Sequence, residues 1–325
     1  MPANDKSWTL LANHLDKTLM RNIVGLKISS LFEMKYTPAC QSVDVMLNGE
    51  FKGNYLLCDQ VKEGKGRIEV TKMDENCTQE PEITGGYVIA ADYWLKEDNE
   101  PYCESNKGVI YSIKYPDEED ILPEQVDYIK NFFNLIEEEI YNNKIDKIDI
   151  ESFCKYLLID DLCGNVEAFW STYMSKERND DKIYFGPVWD FDISFDNYNL
   201  TYPIFERKDF TIKIGKSAGT MNNLALKILS NENILKELKN IWNKYKKIAT
   251  IEFLNKFIDD MSKYIDQSQK LNFMRYDILN TLLLRNPVAR GSFKAEVDFL
   301  KEFLQKKFDN SDEYIKNANS SNINS

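Results

Sequence analysis

Val43-Asp-Val-Met-Leu-Asn-Gly-Glu-Phe-Lys-Gly-Asn-Tyr-Leu-Leu57 decides how this chain is read. Val43, Val45 and Leu47 recur with period two up to Asn48-Gly49, a pair that tolerates the left-handed backbone of a tight reversal. Phe51 to Leu57 then returns as a second strand. A two-residue loop would set Leu47 opposite Glu50. A three-residue loop would set Leu47 beside Phe51 and Val43 beside Tyr55, and the longer loop is the expectation. Upstream, Leu11, Leu15, Leu19, Ile23 and Leu26 recur every three or four residues, which predicts a helix over 8–32. Downstream, Arg67–Val70 and Gly85–Ala91 are expected to add strands to the same sheet, with Glu63-Gly-Lys-Gly-Arg67 as the turn between strands. Residues 95–120 read as charged and irregular.

From Pro123 the period becomes helical. Val126, Ile129, Phe133, Ile136 and Ile140 share a face, and Pro123 is suited to a first turn. A second helix is predicted over about Ile150–Cys163, followed by mixed structure over 165–200. Further helices carry Ile234, Leu238, Ile241 and Tyr245; Phe253, Phe257 and Met261; and Phe293, Val297, Leu300, Leu304 and Phe308. Residues 311–325 are polar enough to be expected as a disordered tail. A strand-rich N-terminal part and a helix-rich C-terminal part make the fold class α+β, with room for two lobes.

Composition then removes several functions. The chain has 325 residues, 43% of them hydrophobic, which is enough for a sizeable core. A net charge of −12 argues against nucleic acid as a partner, because phosphate binding needs a basic surface. No apolar run is long enough to span a bilayer, and the first twenty residues lack the apolar centre of a signal peptide. The six cysteines include no C-x-x-C pair, so zinc knuckles and thioredoxin-type sites are not expected; buried free thiols are. His14 is the single histidine and sits in an apparently helical segment. Histidine-based zinc sites and most histidine-dependent hydrolase mechanisms are therefore not expected.

What chemistry remains centres on Phe185-Gly-Pro-Val-Trp-Asp-Phe-Asp192. If this segment is extended, Asp190 and Asp192 leave the same face while Phe191 points into the core. Two carboxylates on one face suit Mg²⁺, which commonly takes its other ligands from phosphate and water. Glu167 precedes Asp190 by a length that fits one strand, a turn at Arg178-Asn-Asp-Asp181 and a second strand. Such a hairpin would bring Glu167 close to Asp190, as protein kinases bring a catalytic-loop acid close to a metal-binding Asp. Lys62 is a further candidate partner for phosphate or carboxylate.

Taken together, these stretches resemble the CotH family, the spore coat protein H kinase-like proteins, over roughly residues 8–308. The matching segments are Trp8 to Asn22, Val45 to Tyr55, Gly85-Gly-Tyr87, Asn165 to Tyr173, Phe185 to Asp192, Ser268 to Phe273 and Glu296-Val297. The resemblance implies a divergent protein-kinase-like fold, with one domain over 1–310 that lacks the family's usual upstream segment. It implies ATP and Mg²⁺ as cofactors and a Ser/Lys-rich protein, such as a coat protein, as the acceptor of a phosphoryl group on serine. It places the protein in a spore coat or at a cell surface.

By the same resemblance, Asp190 falls on the family's metal-binding Asp and Asp192 on its second acid. Glu167 stands where the family's catalytic Asp stands, and Asp59 and Lys62 match an acid-x-x-Lys element that would contribute to nucleotide binding. Three positions depart from the pattern. Glu167 is one methylene longer than Asp, Thr172 stands where related kinase-like chains carry a metal-holding Asn, and Ala90 replaces a frequent Glu. These departures carry the alternative expectation of a catalytically weakened pseudokinase acting as a coat or surface scaffold.

Overall fold

The computed structural model describes residues 6–92, 100–214 and 220–324. The chain begins with strand β1 (Trp8–Ala12) and helix α1 (Arg21–Leu31), then β2 (Cys40–Leu47) and β3 (Glu50–Asp59). Strands β4 (Tyr87–Asp92), β5 (Tyr102–Glu104) and β6 (Ile110–Tyr115) precede helices α2 (Pro123–Tyr141) and α3 (Ile150–Cys163). After β7 (Ser171–Lys176) and β8 (Tyr184–Phe185) the described chain is helical. It continues as α4 (Thr211–Ile214), α5 (Thr220–Leu229), α6 (Glu232–Tyr245), α7 (Ile251–Tyr264), α8 (Asp266–Arg275), α9 (Phe293–Asn317) and α10 (Ser320–Asn324). The α+β class is as expected.

The helical prediction over 8–32 holds only from Arg21. Residues 8–12 instead pair antiparallel with β3, Trp8 opposite Asp59 and Ala12 opposite Tyr55. The helix cannot start earlier because the Asp16 carboxylate accepts from the backbone N–H of Thr18 at 2.9 Å and of Arg21 at 2.8 Å. That capping role fixes where α1 begins. The guanidinium of Arg21 closes on the same carboxylate, with both side chains fully buried.

At the hairpin the reversal takes two residues, not three. Asn48 (φ 52°) and Gly49 (φ 77°) are both left-handed, and Leu47 faces Glu50. A bulge between Val45 and Met46 then shifts the register, so Val43 still lies opposite Tyr55. The hairpin and β1 form a three-stranded sheet ordered β1-β3-β2.

The expectation of a single sheet is corrected. Strands β4 to β8 form a separate five-stranded sheet ordered β5-β6-β4-β7-β8, in which β4 pairs with β7 far along the chain. Arg67–Val70 joins neither sheet. Its Ile68 makes only an isolated bridge to Glu63 around the turn at Gly64 and Gly66, and the Arg67 side chain is tied to the carbonyls of Gln60 and Ser7. Within the stretch expected to be irregular, residues 95–99 lie outside the described residues. Ile110-Tyr-Ser-Ile-Lys-Tyr115 is a strand paired with β4.

Beneath the larger sheet, α2 buries Ile129, Phe132, Phe133, Ile136 and Ile140, and α3 is almost wholly buried. On α7 the core face is Leu254 and Ile258, while Phe253 is exposed and lies with Phe257 under the Lys27 ammonium. The cysteines are free thiols, and His14 is exposed. Among the described residues no helix is long and apolar enough to cross a membrane.

The expected disordered tail is also corrected. Helix α9 runs to Asn317, and Tyr314, Ile315 and Ile323 are buried. The Tyr314 hydroxyl donates to buried Asp161, which also pairs with Lys307 at 3.1 Å. Polar residues around these apolar ones hid a packed face. Removing residues 311–325 should therefore cost about 4 kcal/mol or more, at roughly 1.5–3 kcal/mol for each large apolar side chain returned to water. Urea unfolding of the shortened chain measures this, and an unchanged midpoint would rule it out.

Candidate active site

Asp190 and Asp192 are brought together, but not by an extended strand. Asp190 has a left-handed backbone (φ 61°), and the chain turns through residues 192–196. Its neighbours force this shape. On one side the Trp189 indole N–H donates to the Ser171 carbonyl at 3.0 Å, and its ring meets Tyr173 edge-on at 5.4 Å. On the other, the Phe191 backbone N–H donates to the Asn22 side-chain oxygen at 2.7 Å, with the Phe191 ring fully buried against α1. Asp190 spans the gap between β7 and α1. A non-glycine residue in this region is held there at a cost that the surroundings must cover.

The two carboxyl groups lie within hydrogen-bonding reach of each other. Desolvation by the surrounding protein raises both above the usual aspartate range, although Asp190 keeps part of its surface open to solvent. The Glu167 charge raises Asp190 further, while Asp190 and Asp16 help push Asp192 up to about 7. The charges facing this pair are thus other acids, a donor set that fits a hard cation. Among the described residues no three His, Cys, Asp or Glu side chains form an ion-holding group. A Mg²⁺ ion here would need phosphate and water as its remaining ligands.

Glu167 follows α3, whose end is set by left-handed Gly164 (φ 62°). Asn165 binds the Asp160 carboxylate at 2.9 Å and accepts from the Glu167 N–H at 3.2 Å, while Tyr156 donates to the Ala168 carbonyl at 2.7 Å. The loop is therefore fixed at several points. Burial and then Asp192 would raise the Glu167 carboxyl; the Arg285 guanidinium, 3.4 Å away, opposes them, and the net direction is up. The hairpin between Glu167 and Asp190 is present as β7 and β8, Met174 opposite Phe185.

Two cavities adjoin here. A cleft of about 280 Å³ is lined by Thr9, Asn22, Asp59, Tyr173, Trp189 and Asp190, among others. A more open groove of about 250 Å³ is lined by Asp92, Asn165, Glu167, Trp170, Ser171 and Asp190. Asp190 belongs to both. Asp59 reaches the cleft, where its carboxylate accepts from the Ala39 N–H at 2.9 Å. Lys62 does not line that cleft; its ammonium donates to the Ser7 hydroxyl at 2.9 Å. The cation beside Asp59 is Arg67, at 3.8 Å, stacked over Trp8.

The CotH kinase protein family model matches residues 2–310. The chain belongs to the CotH family. No curated protein sequence matches the chain. Against the CotH pattern, Thr172 turns away from both cavities: it is buried and its hydroxyl donates to the Ala168 carbonyl at 3.0 Å. Ser171, the residue before it, faces the groove and donates to Asp92 at 3.0 Å. Ala90 packs with Ile68, Val88 and Tyr173 in a small apolar cluster backed by Trp189.

Asp92, Asn22 and Arg285 are the site residues that the motif reading missed. Asp92 was within reach, since it lies two residues beyond Ala90 and so on the same strand face. Asn22 closes the first matching segment, but its partner Phe191 lies far along the chain and nothing local assigned it to the site; Arg285 gave no local signal.

Two outcomes follow. A Cβ on Gly25 would lie 2.4–2.7 Å from the Phe191 ring. Gly25→Ala should gain about 1 kcal/mol of helix propensity and lose about 1–3 kcal/mol to overpacking. A net loss of stability is expected on urea unfolding, and a variant more stable than wild type would refute the close packing.

The second concerns Asp196, whose carboxyl burial pushes up from 3.8 to about 6 against opposing hydrogen bonds from the backbone of Ile204 and Phe205. It binds its proton more tightly folded than unfolded. Its contribution is then full below about pH 4 and lost as pH rises through 6. Relative to Asp196→Asn, the wild type should lose about 2–3 kcal/mol of unfolding free energy over that window. Parallel stability–pH curves would exclude this.

Proposed function

We propose that this CotH-family chain is a protein kinase that transfers the terminal phosphoryl group of ATP to a serine hydroxyl of a coat or surface protein. The observation that carries the reading is the place of Asp190, which with Trp189 lines both the aromatic-walled cleft and the open groove. A nucleotide in the cleft and a protein acceptor in the groove would meet at that residue.

Tyr173 and Trp189 give the cleft apolar walls for a base or ribose, with Asp59, beside Arg67, on the hairpin side. Asp190 and Asp192 would hold Mg²⁺, which when bound neutralises charge on the nucleotide phosphates. Glu167 faces the groove, where the acceptor hydroxyl would lie. Its carboxylate orients that hydroxyl and accepts its proton as the bond to phosphorus forms. The fixed loop from Asn165 to Trp170 holds the carboxylate for this step. The proposal includes a kinase-like arrangement of the two sheets, with the cleft between the hairpin sheet and the β4–β7 face.

The test is transfer of labelled phosphate from Mg²⁺-ATP to a Ser/Lys-rich acceptor by wild type and Asp190→Ala. Loss of the ion's charge stabilisation should lower transfer by about 100-fold or more in the variant. Equal transfer by both proteins would overturn the assignment. If Mg²⁺-ATP causes no thermal shift of the wild type at millimolar concentration while a coat protein still binds, the scaffold reading replaces it.

A further inference from the structure

We infer that Arg285 is a positioning residue for Glu167: it clamps the longer glutamate side chain in the groove so that its carboxylate meets the acceptor hydroxyl. The inference rests on the kinase reading above and adds to it a residue outside the recognised motifs.

Several observations converge on it. The Arg285 guanidinium lies 3.4 Å from Glu167 Oε1 and 3.4 Å from the Tyr198 hydroxyl, over the Tyr198 ring at 5.6 Å. Planar stacking and a fork of donors give such an arginine a defined orientation. Its backbone is left-handed (φ 78°), a conformation unfavourable for a long side chain. Strain of this kind persists where the surroundings impose it, and it accumulates where a side chain must be aimed.

Those surroundings are fixed. The Arg285 carbonyl accepts from the Asn199 N–H at 2.8 Å. Asn286, almost fully buried, donates to the carbonyl of Leu15 at 3.0 Å and to the Asn197 side-chain oxygen at 3.1 Å. Asn197 in turn donates to the Asp192 carbonyl at 2.7 Å. A continuous line of hydrogen bonds therefore ties the Asp192 turn to the backbone that aims Arg285 at Glu167. The two halves of the site are set by one framework.

A stabilising role alone would not call for this construction. Both side chains of the Arg285–Glu167 pair are partly exposed, and such pairs contribute about 0–1 kcal/mol to folding. What the pair can do is remove the extra freedom of glutamate. A displacement of about 1 Å in a catalytic group can cost on the order of 100-fold in rate.

The test uses the full chain with Mg²⁺-ATP and a Ser/Lys-rich acceptor, measuring kcat and the KM for ATP. Arg285→Gln should fold with an unchanged melting profile, lower kcat by about 10–100-fold and leave the ATP KM within about two-fold. Arg285→Lys, which keeps the charge, should restore part of the loss. In a Glu167→Gln background, Arg285→Gln should have no further effect, because the group it positions is gone. Wild-type kcat in Arg285→Gln, or an undiminished Arg285→Gln effect in the Glu167→Gln background, would overturn the positioning role while leaving the kinase reading intact. A wild type that transfers no phosphate would overturn both, and is recognised by the wild-type assay alone.

Discussion

Phe191 seated on helix α1 is the contact on which the rest of this site depends. Asn22 takes the Phe191 N–H, and Gly25, one helical turn on, leaves room for its ring where a Cβ would clash. Because Trp189 is anchored separately to β7, the residue between them has no freedom left. Asp190 is left-handed as a consequence, and its carboxylate faces the cleft, not the core. The geometry of the acidic pair is thus decided by a glycine and an asparagine more than 160 residues upstream.

That places a heavy demand on α1, which must not move. Its start is fixed by Asp16, and the buried Arg21 extends the tie toward α9, its guanidinium 4.0 Å from Glu296. Glu296 is held in turn by Arg290 at 3.2 Å. Buried ion pairs are poor sources of net stability, because desolvation offsets most of the attraction, but losing one partner strands the other at a cost of several kcal/mol. Their consequence here is position. The network joins the first helix to the last long one beneath the acidic turn, so the site's floor moves only if the core does.

How much of this was legible depended on the range of the interactions. Helices α2 and α3 and the position of the Asn48-Gly49 reversal, though not its two-residue length, were read correctly because their signals are local: a 3.6-residue period, a capping proline, a pair that accepts left-handed backbone. The separation into two sheets was not legible, since β4 selects β7 through tertiary packing that no local pattern encodes. The leucines of 8–19 mimicked a helical period while the chain paired with β3, and the tail's polar residues masked Tyr314, Ile315 and Ile323. Glu167, Asp190 and Asp192 were singled out from spacing, and the structure brings them near one another through a left-handed turn, not through the expected strand. Asn22 and Arg285 were missed because their partners lie in distant segments.

The electrostatics of the converged acids separate them into two kinds. Asp190 and Asp192 lie against each other and face other carboxylates, a repulsive arrangement that a cation would offset. Glu167, half-buried, has a guanidinium beside it that counters the effect of its burial. One set is left short of positive charge and the other is supplied with it from within the chain. Catalytic sites divide acidic groups in this way when one must bind charge and another must hold or accept a proton. Arginine beside the aspartate pair would have neutralised the place where a metal–phosphate complex could sit. Beside Glu167 it steadies a carboxylate that leaves the pair's charge uncompensated, and it is this asymmetry, more than the bare presence of three acids, that gives the groove its chemical direction.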